Sequence, residues 1–224
     1  EISSKNVILS AGAIGTPQIL NKSGISKLAG KQLQMHPTIK IVALFDEKIN
    51  QSNMGVPAHQ VNEFGPEILF GCSISSKPYL HLAMLDHPDH KDIVNNMWQN
   101  MAIFYAMIKP QGTGSIKNLP FFNDPLITYN LTKHDKTNLS IGLKQLSKLL
   151  ISSGAQRLFP SINNGPIISN INEIDLLPNS IDTSKTSLMT VHLFSSSSSQ
   201  DIENIDIIMS KKQAKIEGGK DLIL

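Results

Sequence analysis

The chain has 224 residues, with 40% hydrophobic and 17% charged side chains and a formal net charge of +2. That is material for one sizeable core or two small ones, and with no basic stripe interleaved with aromatics it argues against a nucleic-acid partner. Cys72, the only cysteine, excludes an internal disulfide and a cysteine-rich metal site, and no apolar run approaches the length of a membrane span.

In chain order, the apolar run over residues 6–10 predicts a buried strand, because aliphatic residues follow one another without polar alternation. Ala11, Gly12, Ala13 and Gly15 then leave a turn almost bare of side chains. Thr16 as N-cap and Pro17 at the first helical position predict a helix over residues 18–22. Gly24 suits a left-handed cap at its end. A bare turn feeding a helix lets the backbone approach a bulky ligand, and the helix N-terminus favours a phosphate or another anion.

Residues 30–37 form a turn-rich passage ending in His36 and Pro37, and residues 38–46 read as an apolar, β-branched strand. Further strands are predicted at 67–74, 101–109, 115–117 and 126–129, and helices at 91–99 and 135–153. Leu139, Leu143, Leu146, Leu149 and Leu150 recur at helical spacing in the second helix, and Gly154 is a natural stop. Strands without regular crossover helices predict an antiparallel sheet with helices on one side. The run from Lys109 to Ile116 has two glycines but neither a third nor a following helix, so it is not a dinucleotide loop. His81, Asp86, His87, Asp89 and His90 crowd around Pro88, but their spacing fits no helix face and no metal is expected. Trp98, Phe104 and Tyr105 either line a pocket or belong to the core.

The segment over residues 12–25 resembles the second signature of the glucose–methanol–choline (GMC) flavin oxidoreductases. Gly12, Ala13, Thr16, Pro17, Ile19, Leu20, Ser23, Gly24 and Ile25 meet that pattern, and Ser26 stands where it ends in glycine. The passage ending in His36-Pro37 is similar to the family's loop beside the flavin, with Gln32 in place of Asn. The stretch around His192 resembles the one that holds the family's active-site base. Ser197, Ser199 and Gln200 stand where Cys, Met and Gly are common.

The resemblance implies an α+β chain in three parts. Residues 1–37 would be the last part of an FAD-binding α/β domain and 38–187 a substrate domain built on an antiparallel sheet. Residues 188–224 would hold an active-site strand and a divergent or truncated tail. FAD is the implied cofactor, with Ser10, Ala11, Gly12, Thr16, His36 and Pro37 as its binding residues and Ser10 to Gly12 along the ADP half. His192 would take the hydroxyl proton of a small-molecule alcohol, sugar or polyol while hydride passes to the flavin N5. The electron acceptor stays open, as does the compartment, cytoplasm or periplasm. The chain contains no glycine-rich pyrophosphate loop, and after His192 no Asn-Pro and no second histidine. The alternative is therefore an inactive truncated fragment or a flavin-free binding module, and the chain alone is expected to be colourless and inactive.

Overall fold

The computed structural model describes residues 7–55, 57–190, 193–195, 206–208 and 221–223. Helix α1 (Gly12–Lys22) precedes strands β1 (Leu33–Met35), β2 (Thr38–Phe45), β3 (Gln60–Val61) and β4 (Ile68–Cys72). Helices α2 (Lys77–Ala83) and α3 (His90–Met97) follow, then β5 (Met101–Ile108), β6 (Gly114–Lys117) and β7 (Leu126–Tyr129). Helix α4 (Lys133–Ser152) and β8 (Ala155–Pro160) come next, then β9 (Leu193–Ser195), β10 (Asp206–Ile208) and β11 (Asp221–Ile223). Two units divide these elements. One takes the chain up to Met35, Gly112–Asn130 and the residues from His192 on; the other takes His36–Gln111 and Leu131–Val191.

The larger unit is built on a five-stranded sheet in the order β3-β4-β5-β2-β8, antiparallel throughout. Side chains alternate across a strand, and β2 uses both of its faces. Ile39, Ile41 and Ala43 join Leu139, Leu143, Leu146 and Leu150 of α4 in one buried cluster. Val42 and Leu44 join Leu80, Ala83, Met84 and Val94, from α2, its C-cap and α3, in another. Helices therefore cover both faces, and the expectation of helices on one side is corrected. Burial on both faces is also why β2 reads as a continuous apolar run from Ile41 to Phe45 rather than an alternating one.

The strands expected at 67–74, 101–109, 115–117 and 126–129 are β4, β5, β6 and β7, and the 91–99 helix is α3 with a 3-10 turn behind it. Helix α4 starts two residues before the expected 135. Its Thr132 side chain accepts from the Asp135 amide, and the Asp135 carboxylate accepts from the Thr132 amide, which closes a capping box. Asp135 also accepts from the Gln111 amide at 2.7 Å. Leu149 departs from the expected stripe and is 41% exposed. A helix turns by about 100° per residue, so Leu149 lies well to the side of the line through Leu139, Leu143, Leu146 and Leu150.

The smaller unit holds a four-stranded antiparallel sheet, β7-β6-β1-β9, and a parallel pair, β10 and β11. Among its described residues, Leu20 and Ala29 form a buried apolar cluster with Leu9 packed against them, and Leu33 and Ile116 are buried in the sheet. The strand expected at 6–10 is not formed at 7–10, where Val7 is 57% and Ile8 63% exposed. An apolar run becomes a buried strand only with neighbours to pair with, and among the described residues these four have none.

Candidate functional site

The bend between Ser10 and Gly12 is open. Ser10, Ala11 and Gly12 are exposed, and Gly12 takes a left-handed backbone, φ +72°, with no atom of the described residues outside its own turn within 4 Å of where a Cβ would stand. That conformation suits glycine and lets the chain turn directly into α1. The helix therefore begins four residues before Thr16, with Ala11 as N-cap, and Thr16 and Pro17 are buried inside it. This corrects the expectation that Thr16 caps the helix and that Pro17 opens it.

Among the described residues no side chain caps the N-terminus of α1, and its first turn carries no acidic residue. Its leading N–H groups thus present a positive dipole end that no carboxylate of the helix offsets. At the other end, the Gly24 amide donates to the Asn21 carbonyl at 3.1 Å and the Ile25 amide to the Leu20 carbonyl at 3.0 Å. This is the Schellman pattern expected of Gly24, whose φ is +68°. Ser26, which replaces the pattern's last glycine, is buried, and its hydroxyl accepts from the Leu28 and Ala29 amides at 3.3 and 3.1 Å.

His36 and Pro37 lead into β2 in the larger unit. His36 is half-buried; its N–H donates to Thr190 Oγ1 at 3.2 Å, and its carbonyl accepts from the Thr38 hydroxyl at 2.9 Å. Thr38 and Met189 exchange both backbone hydrogen bonds at 2.9 Å. His192 lies outside the described residues.

Lys40, which sequence reasoning did not single out, lies on the same side of β2 as Val42 and Leu44, directly across from Tyr105 of β5. Burial pulls its ammonium below the ordinary lysine range, partly offset by the charge of Asp86. The Tyr105 ring rests on Gly71, where a Cβ would stand 2.5 Å from it. Trp98 and Phe104 pack against the two buried clusters and are core residues. Cys72 is half-buried, and burial pushes its thiol up. His87 is buried with Nε2 2.8 Å from the Pro160 carbonyl, and the His81 and His90 rings meet edge to face at 6.0 Å. Among the described residues, no group of three His, Cys, Asp or Glu could hold a metal ion.

A family model described as GMC oxidoreductase matches residues 1–38, which include the bend and most of the helix-to-strand passage. The chain belongs to the GMC oxidoreductase family. Its relatives include a GMC-type oxidoreductase, y4nJ, of Sinorhizobium fredii, 35% identical over 190 residues, 84% of this chain and 38% of that protein. Long-chain-alcohol oxidase FAO1 of Arabidopsis thaliana is 26% identical over 168 residues, 69% of this chain and 21% of that one. A GMC-type oxidoreductase of Mycobacterium tuberculosis, Rv0492c, is 22% identical over 172 residues, 75% of this chain and 27% of that one. The chain thus spans well under half the length of these relatives. No helix among the described residues is long and apolar enough to cross a membrane.

Proposed function

We propose that this chain carries part of the machinery of an FAD-dependent oxidoreductase acting on the CH–OH group of an alcohol. The observation that supports this most is the exposed bend from Ser10 to Gly12 at the N-terminus of α1, within the family-matched residues. Its features fit a nucleotide: among the described residues there is open space over Gly12 and no capping side chain, the first turn has no acidic residue, and the helix dipole favours an anionic group. Ser10, Ala11 and Gly12 would hold the ADP half by main-chain contact, and Thr16, buried in α1, would keep that turn in place. Bound FAD would supply the hydride acceptor.

The chain's own contribution to the reaction would be proton handling. A neutral imidazole is suited to take a hydroxyl proton near neutral pH, and His192 is the residue proposed for that role. His36 and Pro37 would lie beside the flavin, with His36 held through its amide by Thr190. Similarity to a long-chain-alcohol oxidase favours an alcohol over other CH–OH donors.

The test is an amide NMR titration of the 224-residue chain with ADP. Shifts concentrated at Ala11, Gly12 and Ala13, lost in Gly12→Val, support the reading. Shifts absent from this bend, or unchanged by Gly12→Val, would remove it. In a chimera carrying residues 1–195 in place of the aligned part of y4nJ, His192→Ala should abolish alcohol turnover while bound flavin is retained.

A further inference from the structure

In the smaller unit the loop between β6 and β7 runs Asn118-Leu119-Pro120-Phe121-Phe122-Asn123. Both of its shoulders are fastened to α1. Asn118 Nδ2 donates to the Gln18 carbonyl at 3.0 Å, and Gln18 Nε2 donates to the Asn123 carbonyl at 2.5 Å. Lys22 Nζ reaches the same Asn123 carbonyl at 3.5 Å. The tip between these anchors faces solvent: Phe121 is 106% exposed, Phe122 66% and Leu119 37%.

Phe121 also has φ +69°, a left-handed backbone that bulky side chains rarely adopt. Neither its ring nor that of Phe122 packs on another aromatic group among the described residues. A strained, anchored tip that leaves Phe121 wholly and Phe122 mostly exposed gains little from the described fold, which points to a partner. Charge indicates which kind. The described residues of the smaller unit carry Lys22, Lys27, Lys31 and Lys117, all exposed, and the acids Asp124, Asp206 and Asp221, of which Asp124 alone lies in the β6–β7 loop. Lys22 and Lys117 stand at the two shoulders of the tip. Exposed aromatics between lysines match the boundary of an anionic bilayer, where rings enter the acyl region and ammonium groups meet headgroups.

We propose that the Leu119–Phe122 tip is a docking point for an anionic lipid surface, inserting Phe121 and Phe122 while Lys22 and Lys117 bind headgroups. The tip lies on the membrane without spanning it.

Flotation of the 224-residue chain with vesicles tests this, comparing phosphatidylcholine alone with phosphatidylcholine mixed with phosphatidylglycerol. The chain is expected to float with the mixed vesicles and much less with the neutral ones. Phe121→Ser with Phe122→Ser should lower that partition by about tenfold or more. Lys22→Gln with Lys117→Gln should weaken it and flatten its salt dependence. Leu149→Ser, which removes an exposed apolar group elsewhere, should leave it unchanged. The substituted tip positions are exposed, so circular dichroism should show all variants folded. Absence of flotation by the unaltered chain would overturn the proposal. So would equal flotation of the double phenylalanine variant, or a lipid-free dimer that the variant abolishes, since the tip would then serve a second copy of the chain.

Discussion

Among the described residues, the two units of this chain bury their apolar side chains differently. In the larger, one sheet is covered on both faces and α4 alone contributes four buried leucines. Among the described residues of the smaller, Leu20 and Ala29 form a buried cluster with Leu9 against them, Leu33 and Ile116 are buried in the sheet, and Val7, Ile8, Phe121 and Phe122 stand in solvent. The lesson concerns how each unit is held. The larger is stabilised mainly by area removed from water, together with its strand pairing and the α4 capping box, each of which contributes less per interaction.

The sharpest way to break that contrast is a pair of truncations. Leu143→Ala empties a fully buried site in the α4 cluster and should cost about 2–5 kcal/mol. Trp98, the only tryptophan, packs in the larger unit, so its fluorescence in urea reports that loss. Leu20→Ala should leave the Trp98 midpoint where it is. A shift of similar size would show that the two units unfold as one.

A smaller effect is expected at the start of α4. Asp135 is buried and accepts from the Thr132 and Gln111 amides, so Asp135→Ala leaves two donors without their acceptor. A loss of about 1–3 kcal/mol is expected, read from the same transition. Asp135→Asn, which keeps an acceptor oxygen, should recover part of it.

Lys40 should act in the opposite direction. Its folded-state pKa is lowered by burial, so between the folded and unfolded values the unfolded chain binds more protons, and stability rises with pH there. Lys40→Met should remove that rise and increase the melting temperature at neutral pH. Thermal melts from about pH 7 to about pH 10 cover the window. A variant that melts lower than the parent would mean that the attraction of Asp86 outweighs the burial of the ammonium.

The smallest effect belongs to Asp182, on the surface. Its carboxylate accepts from the Ser184 hydroxyl at 2.7 Å and amide at 2.9 Å, and these bonds hold its pKa below the ordinary range. The stability this contributes is present above the unfolded value, about pH 4, and is lost as pH falls through the folded one. Ser184→Ala should move the Asp182 titration midpoint upward in carboxyl NMR while the Trp98 transition stays fixed.

Much of this was legible in the residues themselves. The period of the leucines in α4, the β-branched run of β2 and the turn chemistry at Gly24 are local, and each follows from backbone geometry and side-chain type. The glycine pattern also carried the family. Other features were not legible. α2 carries Pro78 near its start and only a few apolar residues, too short a stretch for its period to show, so it was missed. Thr16-Pro17 looked like a helix start because that pair commonly is one; Gly12's left-handed turn had already started the helix.

The order of amino acids by itself determined β2, β4 to β7, α3, α4, the side-chain-poor bend and the resemblance to the GMC oxidoreductase family, because these rest on local residue patterns. Only the tertiary structure decided that helices cover both faces of the large sheet and that Lys40 is desolvated across from Tyr105. It alone showed two phenylalanines held out into water on an anchored loop. Those outcomes depend on which strands become neighbours over long separations, and side-chain burial is set by those neighbours.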